Sequence, residues 1–356
     1  MELYFNMYKI KYVIINELLK NIEFKKGEEV NIFVNLESVL KKIKYTTEDK
    51  ENIFYGPKRN LNLISCIFNL ASHYRRYFDK RGLCSRIFIY GPEGCNVEYL
   101  NREYSKDYRK NIFIQETTDT VAIGNMYNKI IPMLKDIISY VNNVYFITSG
   151  IIEPSLVPYI INKLLPNDNK NFLITNDIYE YQYTKEDFYL LKPKMEKSLL
   201  IDKYNVMNVL KHRVKCKNTL EPDVNFISFI LAIMGDSYRG IPKINKVGIS
   251  TIFKLIDTGI KNNIINNEVE NINILLNIVE EYNQNQIMLN YLCTSIREQE
   301  KRISISEETY IKNQLINKHD AGYLRDINDK YFIDYPLNVI EISSGIKNNN
   351  NKIIWR

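Results

Sequence analysis

Four short apolar runs punctuate the first half of the chain: Val30 to Val34, Arg86 to Tyr90, Val144 to Thr148 and Asn171 to Thr175. Each is rich in Ile, Val, Phe or Leu and is bounded by polar residues or glycine, the pattern of strands buried on both faces. Between them, Leu61 to Tyr77 and Tyr127 to Val141 carry apolar residues at helical spacing, and Pro154 to Leu165 predicts a helix with proline in its first turn. This alternation predicts an α/β fold, a mostly parallel central sheet flanked by helices. From about Asp223 onward the pattern changes to helices joined by Gly and Pro turns, and a strand pattern returns only at Asn338 to Ile342. The polar, charge-rich stretch Glu93 to Gly124 is long for a simple connection and predicts a functional loop or a small helical insertion.

Composition narrows this picture only slightly. Hydrophobic residues make up 45% of the 356 and charged residues 25%, which predicts a packed fold and excludes a disordered chain. The net charge of +6 is compatible with a phosphate-backbone partner without requiring one. Five widely spaced cysteines form no C-x-x-C pair, so free thiols in a reducing compartment are expected. Met1 to Lys20 is interrupted by Lys9, Lys11 and Glu17 and lacks a small-residue cleavage site, so neither a signal peptide nor a membrane span is expected. The abundance of Asn, Ile, Lys and Tyr fits an AT-rich genome, phage and virus genomes among them, with an intracellular protein of the host cell as the expectation. His73, His212 and His319 show no metal-ligand spacing, and Tyr90-Gly-Pro-Glu-Gly94 lacks the Gly-Lys-Ser/Thr of a phosphate-binding loop.

The segment richest in chemistry is Met234-Gly-Asp-Ser-Tyr-Arg-Gly-Ile-Pro-Lys-Ile-Asn-Lys-Val-Gly-Ile-Ser-Thr-Ile-Phe-Lys-Leu-Ile256. From Ile241 to Ile256 it resembles, without a gap, the helix-three-turn-helix of flap endonucleases and 5′-3′ exonucleases, Gly-Asp-x-x-Asp-x-Ile-Pro-Gly-Val-x-Gly-Ile-Gly-x-Lys-Thr-Ala. Such a hairpin offers backbone N–H groups and a helix start to a DNA phosphate. Gly248 keeps one glycine of the motif, Lys243 and Lys246 replace others, and Ser250 begins the second helix. The lysines either add charge toward DNA or block its close approach. An ordinary helix-turn-helix in a core is the structural alternative.

The resemblance extends over about Asn31 to Asp257 and implies a PIN-like 5′-nuclease domain over residues 1–222, the DNA-binding hairpin over 223–261 and a helical extension over 262–356. It also implies a metal site at the ends of the first four strands. Two-metal hydrolysis needs a dense carboxylate cluster because its two dications sit about 4 Å apart. Here Asn35 and Gly91 stand at two expected aspartates, Ser155 and Leu156 at two more, Tyr179 at another and Arg239 at the last. Glu153, Asp177 and Asp236 survive, with Glu37 as a candidate replacement ligand and Arg239 as a candidate substitute for a metal. Glu180 follows Tyr179 and, on a continuing strand, faces the other way. The structural alternative for the three survivors is helix capping or pairing with Arg239.

Within the candidate insertion, Tyr104-Ser-Lys-Asp-Tyr-Arg-Lys-Asn111 is similar to the Tyr-Lys-x-x-Arg stretch with which the family grips a 5′ end, and so nominates Tyr108, Arg109 and Lys110 for DNA. A solvated charged helix is its bland counterpart. These residues predict a non-catalytic nuclease homologue without a cofactor, binding branched or 5′-ended DNA or serving among the proteins of a replication or transcription assembly. One alternative is an Mg- or Mn-dependent 5′ nuclease with a rearranged site converging Glu37, Glu153, Asp177 and Asp236. Another is a protein interaction module that no longer binds DNA.

Overall fold

A computed structural model describes residues 19–36, 74–91, 131–139, 141, 143–150, 152–165, 169–186, 188–192, 199–213, 223–236, 241–266, 271–279 and 282–316. The four apolar runs are strands: β1 (Glu29–Asn35), β2 (Cys84–Gly91), β3 (Val144–Thr148) and β4 (Lys170–Ile174). Two further strands, β5 (Phe188–Lys192) and β6 (Leu199–Ile201), complete a six-stranded sheet of order β3-β2-β1-β4-β5-β6. All neighbours pair in parallel except β5 and β6. The strand pattern at Asn338 to Ile342 and the insertion at Glu93 to Gly124 lie outside the described residues.

Side chains alternate between two covered faces, which is why these strands read as continuous apolar runs. Val30, Ile32 and Val34 of β1 pack with Ile87, Ile89 and Phe172 against helical residues 74–79 and 131–138. Phe33 faces the other way, stacked on Phe88 at 5.1 Å and tilted against Phe188 at 5.5 Å. Such pairs add about 0.5–1.5 kcal/mol each beyond their buried area.

That second face carries α1 (Val157–Leu164), which follows a 3₁₀ turn over Pro154–Leu156, and then the helical part of the chain. Its further helices are α2 (Val206–Arg213), α3 (Ile227–Met234), α4 (Ile249–Lys261), α5 (Gln284–Thr294), α6 (Ile296–Glu300) and α7 (Ile305–Asn313). One buried cluster joins Phe33 and Leu173 of the sheet to Phe253 of α4, Ile287 of α5 and Ile311 of α7.

Gln182 staples these parts together. Its amide nitrogen donates to the carbonyls of Tyr179 and Thr294 at 3.0 and 2.8 Å, while its oxygen accepts from the Ser228 hydroxyl and the Ile296 N–H at 2.7 and 3.2 Å. A buried amide so satisfied fixes both partners, and losing it would strand four polar groups. Among the described residues, no helix is long and apolar enough to cross a membrane. Cys84 and Cys293 are free thiols.

Candidate functional site

Parallel strands bring their carboxyl ends to one edge of the sheet, and the residues there come from four different strands. Asn35 closes β1, Tyr90 and Gly91 close β2, Thr148 closes β3, and Thr175 follows β4. Asn35 and Tyr90 are paired in register, so their side chains stand beside each other on one face. Both donate to the same atom: Asn35 Nδ2 lies 2.9 Å and the Tyr90 hydroxyl 2.6 Å from Glu180 Oε1.

Glu180 therefore occupies the centre of the edge, fully buried, contrary to the expectation that it faces away. The reason is local. Asp177 N–H donates to Thr175 Oγ1 at 2.9 Å, and the Asp177 carboxylate accepts from the Tyr179 N–H at 3.0 Å. This turn ends the extended chain and starts a 3₁₀ helix, Tyr179–Glu186, so alternation of period two no longer applies. Glu180 swings under the strand ends. Tyr179 turns the other way, its hydroxyl donating to the Cys293 carbonyl at 3.2 Å beside Gln299.

Burial, together with the charge of Asp177, pushes the Glu180 carboxyl up to about 8 against the hydrogen bonds from Thr175, Tyr90 and Asn35. Burial and the neighbouring Asp177 charge favour the neutral form of this carboxyl, whose Oε1 an amide and a phenol hold.

The three surviving carboxylates do not rebuild a two-metal set. Glu153 is buried, and accepts from the Ser155 hydroxyl at 3.0 Å. Asp177 is half-buried, and its carboxylate accepts from the Tyr179 N–H at the start of the 3₁₀ helix. Asp236 forms a backbone bridge with Ile241, each N–H donating to the other carbonyl at 2.8 Å. Among the described residues no group of three or more His, Cys, Asp or Glu side chains stands together to hold a metal ion. A dication at Glu180 would also face the amide hydrogens of Asn35 and the phenolic proton of Tyr90, so this donor set does not fit the metals the resemblance implies. Glu37 and Arg239 lie outside the described residues, as do Tyr108, Arg109 and Lys110.

The C-terminal helices close the β3 side of this edge. The Thr148 N–H and hydroxyl donate to Gln314 Oε1 at 2.9 and 3.0 Å, and Gln314 Nε2 donates back to the Thr148 carbonyl at 2.9 Å. Gly150 has φ +61°, and a Cβ there would stand 3.0 Å from the Tyr310 ring, so the chain leaves β3 through a glycine for two reasons.

The hairpin between α3 and α4 is built on buried anchors. Ile244 and Val247 enter the core, and Ile244 N–H donates to the Ile233 carbonyl at 3.0 Å. Gly235 ends α3 at φ +66°, and any Cβ would meet Ile241 O and Lys243 N at 2.6 Å. Asn290 of α5 then locks the loop, its Nδ2 donating to the carbonyls of Ala232 at 2.6 Å and Pro242 at 2.8 Å.

Lys243, Lys246, Gly248 and Ser250 all stand exposed on this hairpin. Lys246 adopts φ +64°, the left-handed conformation that favours glycine. Gly248 is the N-cap of α4 with φ −86°, and a Cβ there would meet nothing nearer than Thr251 Oγ1 at 3.9 Å. Nothing in the chain itself demands glycine at that position.

In overall fold the chain is similar to solved structures of 5′ nucleases. Among solved structures it is similar to the bacteriophage T5 5′-exonuclease with bound zinc, at 13% identity and a TM-score of 0.48, covering 88% of this chain and 99% of that one. It is also similar to a bacteriophage T5 flap endonuclease pseudo-enzyme–product complex with DNA and metal ions, at 14% identity and a TM-score of 0.47, covering 88% and 98%. The catalytic core of Rad2 in complex with DNA substrate is similar at 12% identity and a TM-score of 0.42, covering 89% and 92%. No protein-family model and no curated protein matches the chain.

Proposed function

We propose that this protein is a non-catalytic homologue of the structure-specific 5′ nucleases that binds DNA, branched or with a free 5′ end, through the hairpin of residues 243–250, in a nucleic-acid assembly of phage or viral origin. The observation that carries the reading is the centre of the strand edge, where Asn35 and Tyr90 both donate to one oxygen of a buried Glu180. Hydrolysis by two metals needs a cluster of negative charge there, and an amide and a phenol standing around one carboxyl support the non-catalytic reading. The DNA half of the reading rests on the exposed Lys243, Lys246, Gly248 and Ser250, carried by a loop whose anchors are buried.

The test is incubation with flap and nicked-duplex DNA in Mg²⁺ or Mn²⁺, together with a binding titration on the same substrates. Salt-sensitive binding without cleavage is expected. Steady turnover that is lost in Asp177→Ala or Asp236→Ala would establish a rearranged metal-dependent nuclease instead. Absence of DNA binding at low salt would leave the protein-interaction reading.

A further inference from the structure

Beside the hairpin, on the side of α5, lies an open cleft of about 560 Å³. Lys243, Asn245 and Lys246 line it from the hairpin, and Tyr282, Asn283 and Gln286 from the start of α5. Its volume falls within the range of small-molecule sites, about 300–1,000 Å³. Its lining brings two cations and three amides together with one aromatic ring, beside Pro242 and Ile244.

The two walls are fixed relative to each other. Asn290 ties α5 to the Pro242 carbonyl, and Gln286 Nε2 donates to Asn290 Oδ1 at 3.0 Å, so a wall residue belongs to the same hydrogen-bonded chain that sets the loop. Asn283 caps α5 by accepting from the Gln286 N–H at 3.1 Å, and Tyr282 is pinned through its N–H to the Val279 carbonyl at 3.0 Å. The cleft exists before any ligand enters, which lowers the ordering cost of binding.

Each chemical part of a nucleotide has a counterpart here. The half-buried Tyr282 ring offers a face on which a base can stack, the amides offer donors and acceptors to a base edge, and the exposed Lys243 and Lys246 flank the mouth where a phosphate would sit. We propose that the cleft is a nucleotide site, taking one unstacked nucleotide of a DNA strand with its base on Tyr282 and its phosphate between Lys243 and Lys246. The proposal rests on the DNA-binding reading above and adds a pocket for a single base beside the loop that holds the backbone.

The experiment compares the full chain binding to plain duplex and to the same duplex carrying one extrahelical 2-aminopurine, with free dAMP titrated separately. Tighter binding of the second duplex is expected, with quenching of the 2-aminopurine. Tyr282→Ala should bring the ratio of the two affinities back toward one, a loss of roughly 5- to 150-fold from the worth of one stacked base. Tyr282→Phe, which keeps the ring, should restore it, and equal melting temperatures would separate stacking from folding. Saturable dAMP binding that is lost in Tyr282→Ala, without any gain from the extrahelical base, would keep the nucleotide chemistry and assign the free nucleotide as its source. Plain duplex bound with no gain from the extra base and no binding of dAMP would overturn the site while leaving the hairpin reading intact. Failure to bind any duplex would instead overturn the DNA-binding reading.

Discussion

The Asn35 amide nitrogen lies 2.9 Å from Glu180 Oε1, close enough that the residue at position 35 decides what the carboxyl opposite it can be. An amide donates to it and allows a neutral acid. An aspartate would place a second acceptor at the same distance, and two carboxylates so close share one proton or recruit a cation. Asn35→Asp should therefore destabilise the fold by about 1–3 kcal/mol above pH 8, where the shared proton is lost. Thermal melting with and without millimolar Mg²⁺ checks this. The variant should gain stability from Mg²⁺ by mass action, whereas the natural protein should be nearly indifferent to it. A clear Mg²⁺-dependent rise in the natural protein would contradict the neutral-site account.

Glu180 also sets a pH dependence whose sign is fixed. Its folded-state value is raised from 4.5 to about 8, so between those limits the folded protein binds a proton that the unfolded chain does not. Stability from this group is complete below about pH 4.5 and declines as pH rises toward 8, by an amount on the order of a few kcal/mol. Asp79, pushed up to about 6 by burial against the pull of Arg75, contributes a slope of the same sign at lower pH. Glu180→Gln keeps an acceptor for Asn35 and Tyr90 and carries no titrating proton. The difference between denaturation curves of the two proteins should thus grow from pH 5 to pH 8, with the variant the more stable at the alkaline end. A difference that stays flat across this window would place Glu180 in its ionised form throughout.

The strands were legible because their faces are both buried, which leaves mostly apolar runs despite polar residues such as Asn31 and Asn171. β5 was not, since Phe188-Tyr-Leu-Leu-Lys192 is short, ends on a charge and has half-buried side chains at Tyr189 and Lys192. The hairpin was legible through its glycine and proline spacing, although its left-handed residue proved to be Lys246. Glu180 was hidden for a geometric reason: the Asp177 turn converts strand into 3₁₀ helix one residue before it, and only that turn aims it at Asn35. Tyr90 was not legible because the resemblance points to the strand's last residue, Gly91, while the chemistry comes from the residue before it.

Asn290 provides a test of how the hairpin is held. Its amide satisfies two backbone carbonyls, one at the end of α3 and one in the loop itself, from a position with no exposure. Asn290→Ala strands both acceptors and opens a small cavity, for an expected loss of about 2–4 kcal/mol. Chemical denaturation measures that loss. In the portion that remains folded, DNA affinity should fall although no cation has been removed, and the salt dependence should keep its slope. A flattened slope would mean that Asn290 acts on phosphate contacts and not on loop position.

Lys246 separates charge from backbone strain in a single position. At φ +64° a lysine costs roughly 1 kcal/mol that glycine does not, and the chain is also entropically freer when unfolded with glycine. Lys246→Gly should therefore be neutral or stabilising by up to about 1 kcal/mol, while Lys246→Ala keeps the strain and removes only the charge. Both should weaken DNA binding equally if the ammonium neutralises a phosphate, and each should lower the slope of log affinity against log salt by about 0.9. Removing Lys243 as well should lower the slope by about 1.8 in total where the two exposed side chains meet different phosphates, and by about 0.9 where they share one. Fluorescence anisotropy at three or more salt concentrations on each variant gives the slopes. Should glycine at 246 bind DNA more tightly than lysine, the residue would be an obstruction to the backbone approach that Gly248 still permits, and the hairpin would have turned away from DNA.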